Sequence, residues 1–342
     1  MVGVQQTSNR SKGAGQLMIV TTLIALAAGG ASALMFVSII SGAPISLLLV
    51  YFAPLPLMVA ALGWGPLVAT IGGIMAATMI GVIFGLPLCI AFAITIALPA
   101  WWLGHLALLG RPVAGVASTE NGASPVAPTV EWYPVGRILL WISGFAVLTT
   151  LIGLFTLGSD FAAISATLRR VLLRFAAPRG LTSAGEIEQH IDVLVGITPA
   201  LMANVIMLRL TLTLWLATKV AAISGRLQRA RPDLKSVTLP PMTLVALSVA
   251  IAFCFVGGLL AMLAQIVVSA LMMAYALTGF AVLHTLTLGS KNRGIWLSGT
   301  YAMVLLSGGW LLVVIVAFGL GDAVFGFRER YLRKRPPPIP AS

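Results

Sequence analysis

From Leu17 to Leu109 the chain contains no Asp, Glu, Lys or Arg. A hydrocarbon layer about 30 Å thick is crossed by roughly 20 apolar residues in a helix, so this stretch alone suffices for about four spans. It is also much longer than the apolar segment of a secretory signal, which runs to roughly 7 to 15 residues, and the first span is expected to be retained. The rest of the sequence agrees: 59% of the 342 residues are hydrophobic and 9% are charged. A soluble domain carries roughly 25% charged residues and has no place for so much apolar surface. The expected fold is all-α, a polytopic transmembrane bundle of eight or nine spans with one amphipathic helix at the membrane interface, and its first partner is the lipid bilayer.

Proline removes a helix hydrogen-bond donor and glycine relaxes the backbone, so Ser41-Gly42-Ala43-Pro44, Gly63-Trp64-Gly65-Pro66 and Gly85-Leu86-Pro87 divide the long stretch. Residues 1–16 form a polar tail carrying Arg10 and Lys12, expected on the cytoplasmic side, and residues 17–109 form an N-terminal bundle of about four spans. Trp101, Trp102 and His105 suit the headgroup zone at its exit. Residues 110–136, rich in Ala, Pro, Ser and Val, read as a flexible loop.

Residues 137–223 contain spans 5 and 6. Between them Ser159 or Asp160 can cap a helix over about 160–176, in which Phe161, Ile164, Leu168, Val171, Leu172 and Phe175 recur at helical spacing while Arg169, Arg170 and Arg174 lie off the stripe. Span 6 holds Asn204, Arg209 and Lys219. A charge at membrane depth is costly and marks a site for ligand or coupling, set against pairing with a helix terminus or lipid phosphate for Arg209 and snorkelling for Lys219.

Residues 224–241 form a basic cytoplasmic loop with Arg226, Arg229, Arg231 and Lys235, and residues 242–320 hold spans 7 to 9, with a hairpin turning near Gln265. Residues 321–342 are a basic, Pro-rich tail. Nine spans with a cytoplasmic N-terminus place that tail outside, against the positive-inside rule, so one Pro-broken element, with Ile45–Leu62 the first candidate, is expected to be re-entrant.

The net charge of +12 lies in short segments between apolar runs, the pattern that orients a membrane protein, and nucleic acid is not an expected partner. Cys89 and Cys254 sit in apolar segments without metal or disulfide spacing. His105, His190 and His284 are far apart, and no HExxH, GxSxG or Walker-type sequence occurs, so neither enzyme, metal nor cofactor is expected. Of nine acidic residues only Asp192 and Asp322 approach a span, both at its edge. Asp322 and Arg328 can form a local ion pair, though six residues exceed the reach of one helical turn. His284 is a candidate for a hydrogen bond at the end of span 8.

Small residues recur at close-packing intervals: Ala27 and Ala31 with Gly30 in span 1, and Gly72, Gly73, Ala76 and Ala77 in span 3. They serve either internal packing or docking of a membrane partner subunit.

Three segments carry a resemblance: Ala53-Pro54-Leu55-Pro56-Leu57, Gly279-Phe280-Ala281-Val282-Leu283-His284, and Gly319-Leu320-Gly321-Asp322 followed by Phe327-Arg328-Glu329-Arg330. In order and spacing they resemble the YybS-like family of multi-pass proteins of the bacterial cytoplasmic (inner) membrane. That family is similar to the substrate-binding S components of energy-coupling-factor transporters, which work with a T component and paired ATPases. The resemblance implies binding and uptake of a small molecule or vitamin, with Ala27-xxx-Ala31 as the face docking a T component; the polar groups within the spans, Asn204, Arg209 and His284, are the candidate ligand-binding residues. It also implies a cavity among the first six spans. The alternative is a non-transporting scaffold whose basic loops dock cytoplasmic partners or anionic lipid.

Overall fold

The computed structural model describes residues 2–113, 129–176, 184–229 and 237–333. Glu120 in the centre of the 110–136 loop, Arg231 and Lys235, and the tail from Lys334 onward lie outside the described residues. The elements in chain order are α1 (Val2–Val37), α2 (Pro44–Phe52), α3 (Leu55–Trp64), α4 (Pro66–Phe84), α5 (Leu86–Phe92), a π-helical turn (Ala93–Ala97), α6 (Leu98–Leu108), β1 (Gly110–Val113), β2 (Thr129–Trp132), α7 (Val135–Phe155), α8 (Phe161–Ala176), α9 (Ala184–Ile223), α10 (Met242–Phe253), α11 (Gly258–Leu286), α12 (Arg293–Leu306), α13 (Trp310–Phe325) and α14 (Phe327–Arg333). Among the described residues the fold is all-α apart from one short ribbon. Among the described residues seven helical stretches are long and apolar enough to cross a membrane: 18–41, 44–64, 66–84, 86–108, 135–155, 190–223 and 258–286. Two shorter apolar helices, α10 and α13, accompany them.

Several boundaries differ from expectation, each for a local reason. The helix of span 1 extends back to Val2, through the segment read as a polar tail. The ends of the 110–136 loop pair as an antiparallel ribbon, Gly110 opposite Trp132 and Arg111 opposite Glu131, and the two charges opposite each other form an ion pair at 2.8 Å. Ile45–Leu62, the expected re-entrant element, lies within α2 and α3, which follow one another with only Ala53-Pro54 between them and together match a span. The hairpin after Met242 turns at Gly257-Gly258, and Gln265 lies inside α11. Span 9 is not continuous: Gly308 and Gly309 both take positive φ, which side-chain-bearing residues rarely adopt, and separate α12 from α13.

The chain divides into two compact units. The first comprises residues 1–134 and 208–231, the second residues 135–207 and 232–342, so that α9 contributes its C-terminal part to one and its N-terminal part to the other.

In the first unit α1 packs on α4 with backbones in contact. A Cβ on Gly29 would overlap the carbonyl of Gly72, and one on Gly72 would overlap the carbonyl of Ala25. Without such small residues helices cannot approach this closely, and in lipid it is packing of this kind, not expulsion of water, that joins them. Gly104 on α6 leaves room for the Ala61 methyl on α3, which a Cβ at Gly104 would overlap. Ala25, Ala60 and Val68 form a buried cluster covered by Ile24, Ala28 and Trp64. Leu34, Leu67 and Val82 remain more than two-thirds exposed, as befits side chains whose solvent is lipid.

In the second unit the amphipathic helix α8 follows an Asp160 cap whose Oδ1 accepts the Ala163 N–H at 2.7 Å. Ile164 and Leu168, from its apolar stripe, are buried in a cluster with Leu154, Ala203, Met262, Ile266 and Ala270. Phe161 and Val171 stay exposed, and Arg169 reaches across to Asp192 at 2.9 Å. α11 and α13 meet through two reciprocal glycine contacts: Gly279 against the carbonyl of Ile315, and Gly319 against that of Tyr275.

Candidate functional site

The residues singled out in the sequence do not converge. Asn204 belongs to the second unit and Arg209 to the first. Five residues apart on α9, they leave the helix in directions about 140° apart. His284 lies roughly 28 Å along α11 from Gln265, near that helix's C-terminal end, where it shares a 3.0 Å hydrogen bond with the Tyr301 hydroxyl. Tyr301 in turn stacks on Phe280. That bond satisfies His284 locally and joins α12 to α11.

Asn204 lines a groove of about 800 Å³ in the second unit, formed by α9, α11 and the start of α13. Most of the wall is apolar, with Ile197, Leu201, Met272 and Val313 among its residues. The polar groups on it are few. Asp192 is occupied by Arg169, and the Ser269 hydroxyl donates to the Ala200 carbonyl at 2.9 Å. The side-chain oxygen of Asn204 is buried and has no hydrogen-bond partner. Gln265 is exposed on the same wall. A buried amide oxygen without a donor forfeits about 1–3 kcal/mol, which a ligand's O–H or N–H can restore. The glycine break at Gly308-Gly309 belongs to this groove, and nothing in the sequence linked it to Asn204.

In the first unit Arg209 is buried, with 9% of its surface exposed. Its partner follows from a proline. Pro99 has no N–H to give the carbonyl four residues before it, Thr95, and the helix there widens into the π turn. Arg209 Nη2 donates to that Thr95 carbonyl at 3.2 Å, while Arg209 Nε is buried without a partner.

One end of the first unit gathers basic and aromatic side chains. The Arg226 guanidinium lies 5.3 Å from the ring centre of Trp64 and that of Arg229 6.0 Å from Trp132. Arg229 also donates to the carbonyls of Ala107 (3.2 Å) and Tyr133 (3.0 Å), tying the segment after α9 to the ribbon, and burial lowers its pKa below the usual arginine value. Trp101, Trp102 and His105 cluster on α6 as mutual ring contacts.

Ala27 is exposed and Ala31 half-buried, whereas Ala25, Gly29 and Ala33 on the same helix are buried. Internal packing therefore uses a neighbouring small-residue face and leaves Ala27 outside it. Among the described residues no three His, Cys, Asp or Glu side chains come together as a metal-binding group.

The elements and their exposed apolar faces define the class: an all-α polytopic bundle whose helices suit a membrane. Beyond the class, no protein-family model, curated protein or solved structure matches this chain.

Proposed function

We propose that this protein binds a small molecule within the membrane and takes part in its uptake, the role its resemblance to S components implies. The observation that carries the reading is the groove of about 800 Å³ with the unpartnered Asn204 oxygen on its wall. Ligand sites are concave, mainly apolar and furnished with a few placed polar groups, and this groove has that composition. It differs from the S-component expectation in place, since α11 and α13 form it with α9 and the expected cavity lay among the first six spans. The ligand that fits is largely apolar and carries a hydrogen-bond donor for Asn204. Native mass spectrometry of the purified protein tests this: a co-purifying small molecule is expected on the wild type and absent from Val313→Trp, whose added ring enters the groove from its exposed wall. Equal adducts on both proteins would remove the groove as the site.

The scaffold reading rests on a different observation, the basic end of the first unit that Arg229 holds in fixed form through Ala107 and Tyr133. It predicts that the partners of the protein are lost with Arg226→Glu while ligand binding in detergent survives. Membership of the YybS-like family, a bacterial inner-membrane location and a T-component docking role for Ala27 and Ala31 belong to the first proposal. Pull-down of a second membrane subunit by the wild type but not by Ala27→Leu supports that docking role, and equal recovery by both counts against it.

A further inference from the structure

Arg209 is a full positive charge that the first unit leaves without a countercharge. No carboxylate occurs in residues 17–109 or 208–231, and among the described residues of this unit the one acidic side chain, Glu131, is paired with Arg111 on the exposed ribbon. Arg209 lies fourteen residues before Ile223, roughly 21 Å along the helix, and Ile223 is the last residue of α9 before the basic segment. Thr95 is thirteen residues from Leu108, at the same end of the unit, which places the two at matching depth inside a hydrocarbon layer about 30 Å thick.

The single observed bond does not account for the charge. A guanidinium has five N–H donors, and Arg209 spends one of them on the Thr95 carbonyl, while Nε is buried and unused. A neutral donor would serve the carbonyl that Pro99 leaves open. A cation kept at membrane depth with spare donors is matched by an oxyanion, because an unpaired buried charge is costly and a bidentate Arg–oxyanion pair offsets that cost. We propose that Arg209, backed by the Thr95 carbonyl at the π turn, anchors an intramembrane site for an organic anion, whose carboxylate or phosphate takes the unused donors of the guanidinium.

This site lies in the first unit and stands independently of the groove reading. It is tested on the full chain in uncharged detergent, following thermal unfolding and calorimetric binding with hexanoate, hexyl phosphate, hexylammonium and hexanol. Both anions are expected to bind and raise the Tm, and the cation and the alcohol are not; a preference between hexanoate and hexyl phosphate identifies the head group. Arg209→Gln should lose at least tenfold in anion affinity, and Asn204→Leu in the groove should lose none. Arg209→Lys keeps the charge without the fork, and a several-fold loss there carries the test if the Gln variant does not fold. Anion binding that is unchanged in Arg209→Gln and Arg209→Lys, or a wild type that answers hexanoate and hexylammonium alike, overturns the proposal.

Discussion

Asp322 and Arg328 show how a single residue decides whether a pair exists. Along one helix six residues put them out of reach. Gly326 takes a left-handed conformation at the end of α13, its N–H bonds to the Asp322 carbonyl, and the chain turns so that α14 begins over Asp322. The carboxylate then accepts the Arg328 backbone N–H at 2.8 Å and Arg328 Nε at 2.7 Å, with both side chains about 5% exposed. Removing one partner of such a pair strands the other, at about 3–5 kcal/mol. Asp322→Ala is therefore expected to lower the Tm in detergent substantially, and Asp322→Ala with Arg328→Leu to recover part of the loss. A double variant no more stable than the single one would show that the pair is not what holds this end. The sequence named both residues, but the bond depends on the turn at Gly326, which spacing rules for a continuous helix do not contain.

Among the elements, the helix contacts rest on glycine. Gly279 and Gly319 each lie against a carbonyl of the facing helix, so Gly279→Val must push α11 and α13 apart. Overpacking of this kind costs about 1–3 kcal/mol. The expected result is a lower Tm and faster proteolysis, with Gly144→Val, where a Cβ meets nothing within 4 Å, as the unaffected control. The amphipathic helix α8 was legible from its cap and its stripe. That Ile164 and Leu168 would be buried against α7, α9 and α11 was not, because periodicity gives a face and not the surface that receives it.

For the molecule as a whole, the first unit fixes one relation between segments that separate spans could not. Arg226 on Trp64 and Arg229 on the carbonyls of Ala107 and Tyr133 place the C-terminal end of α9, the end of α3 and the end of α6 together. By the positive-inside rule this common end is expected to face the cytoplasm. Reporter fusions after Leu109 and Lys235 should accordingly both report the cytoplasm, and a fusion in the Ser38–Pro44 turn the opposite side. Two fusions of opposite sign at Leu109 and Lys235 would contradict the arrangement.

By itself the sequence determined the solvent and the class of element: an uncharged run from Leu17 to Leu109 and 9% charged residues leave helices in a bilayer as the arrangement that satisfies every backbone group. It also marked Asn204 and Arg209 as groups too costly to bury without purpose. Only the tertiary structure decided which of the small-residue faces is consumed in packing, that Pro99 opens the Thr95 carbonyl toward Arg209, that Asn204 belongs to a groove edged by Gly308-Gly309, and that His284 is satisfied by Tyr301. These depend on contacts between residues far apart in the chain, and a hydropathy pattern records the depth of each residue but not its neighbours.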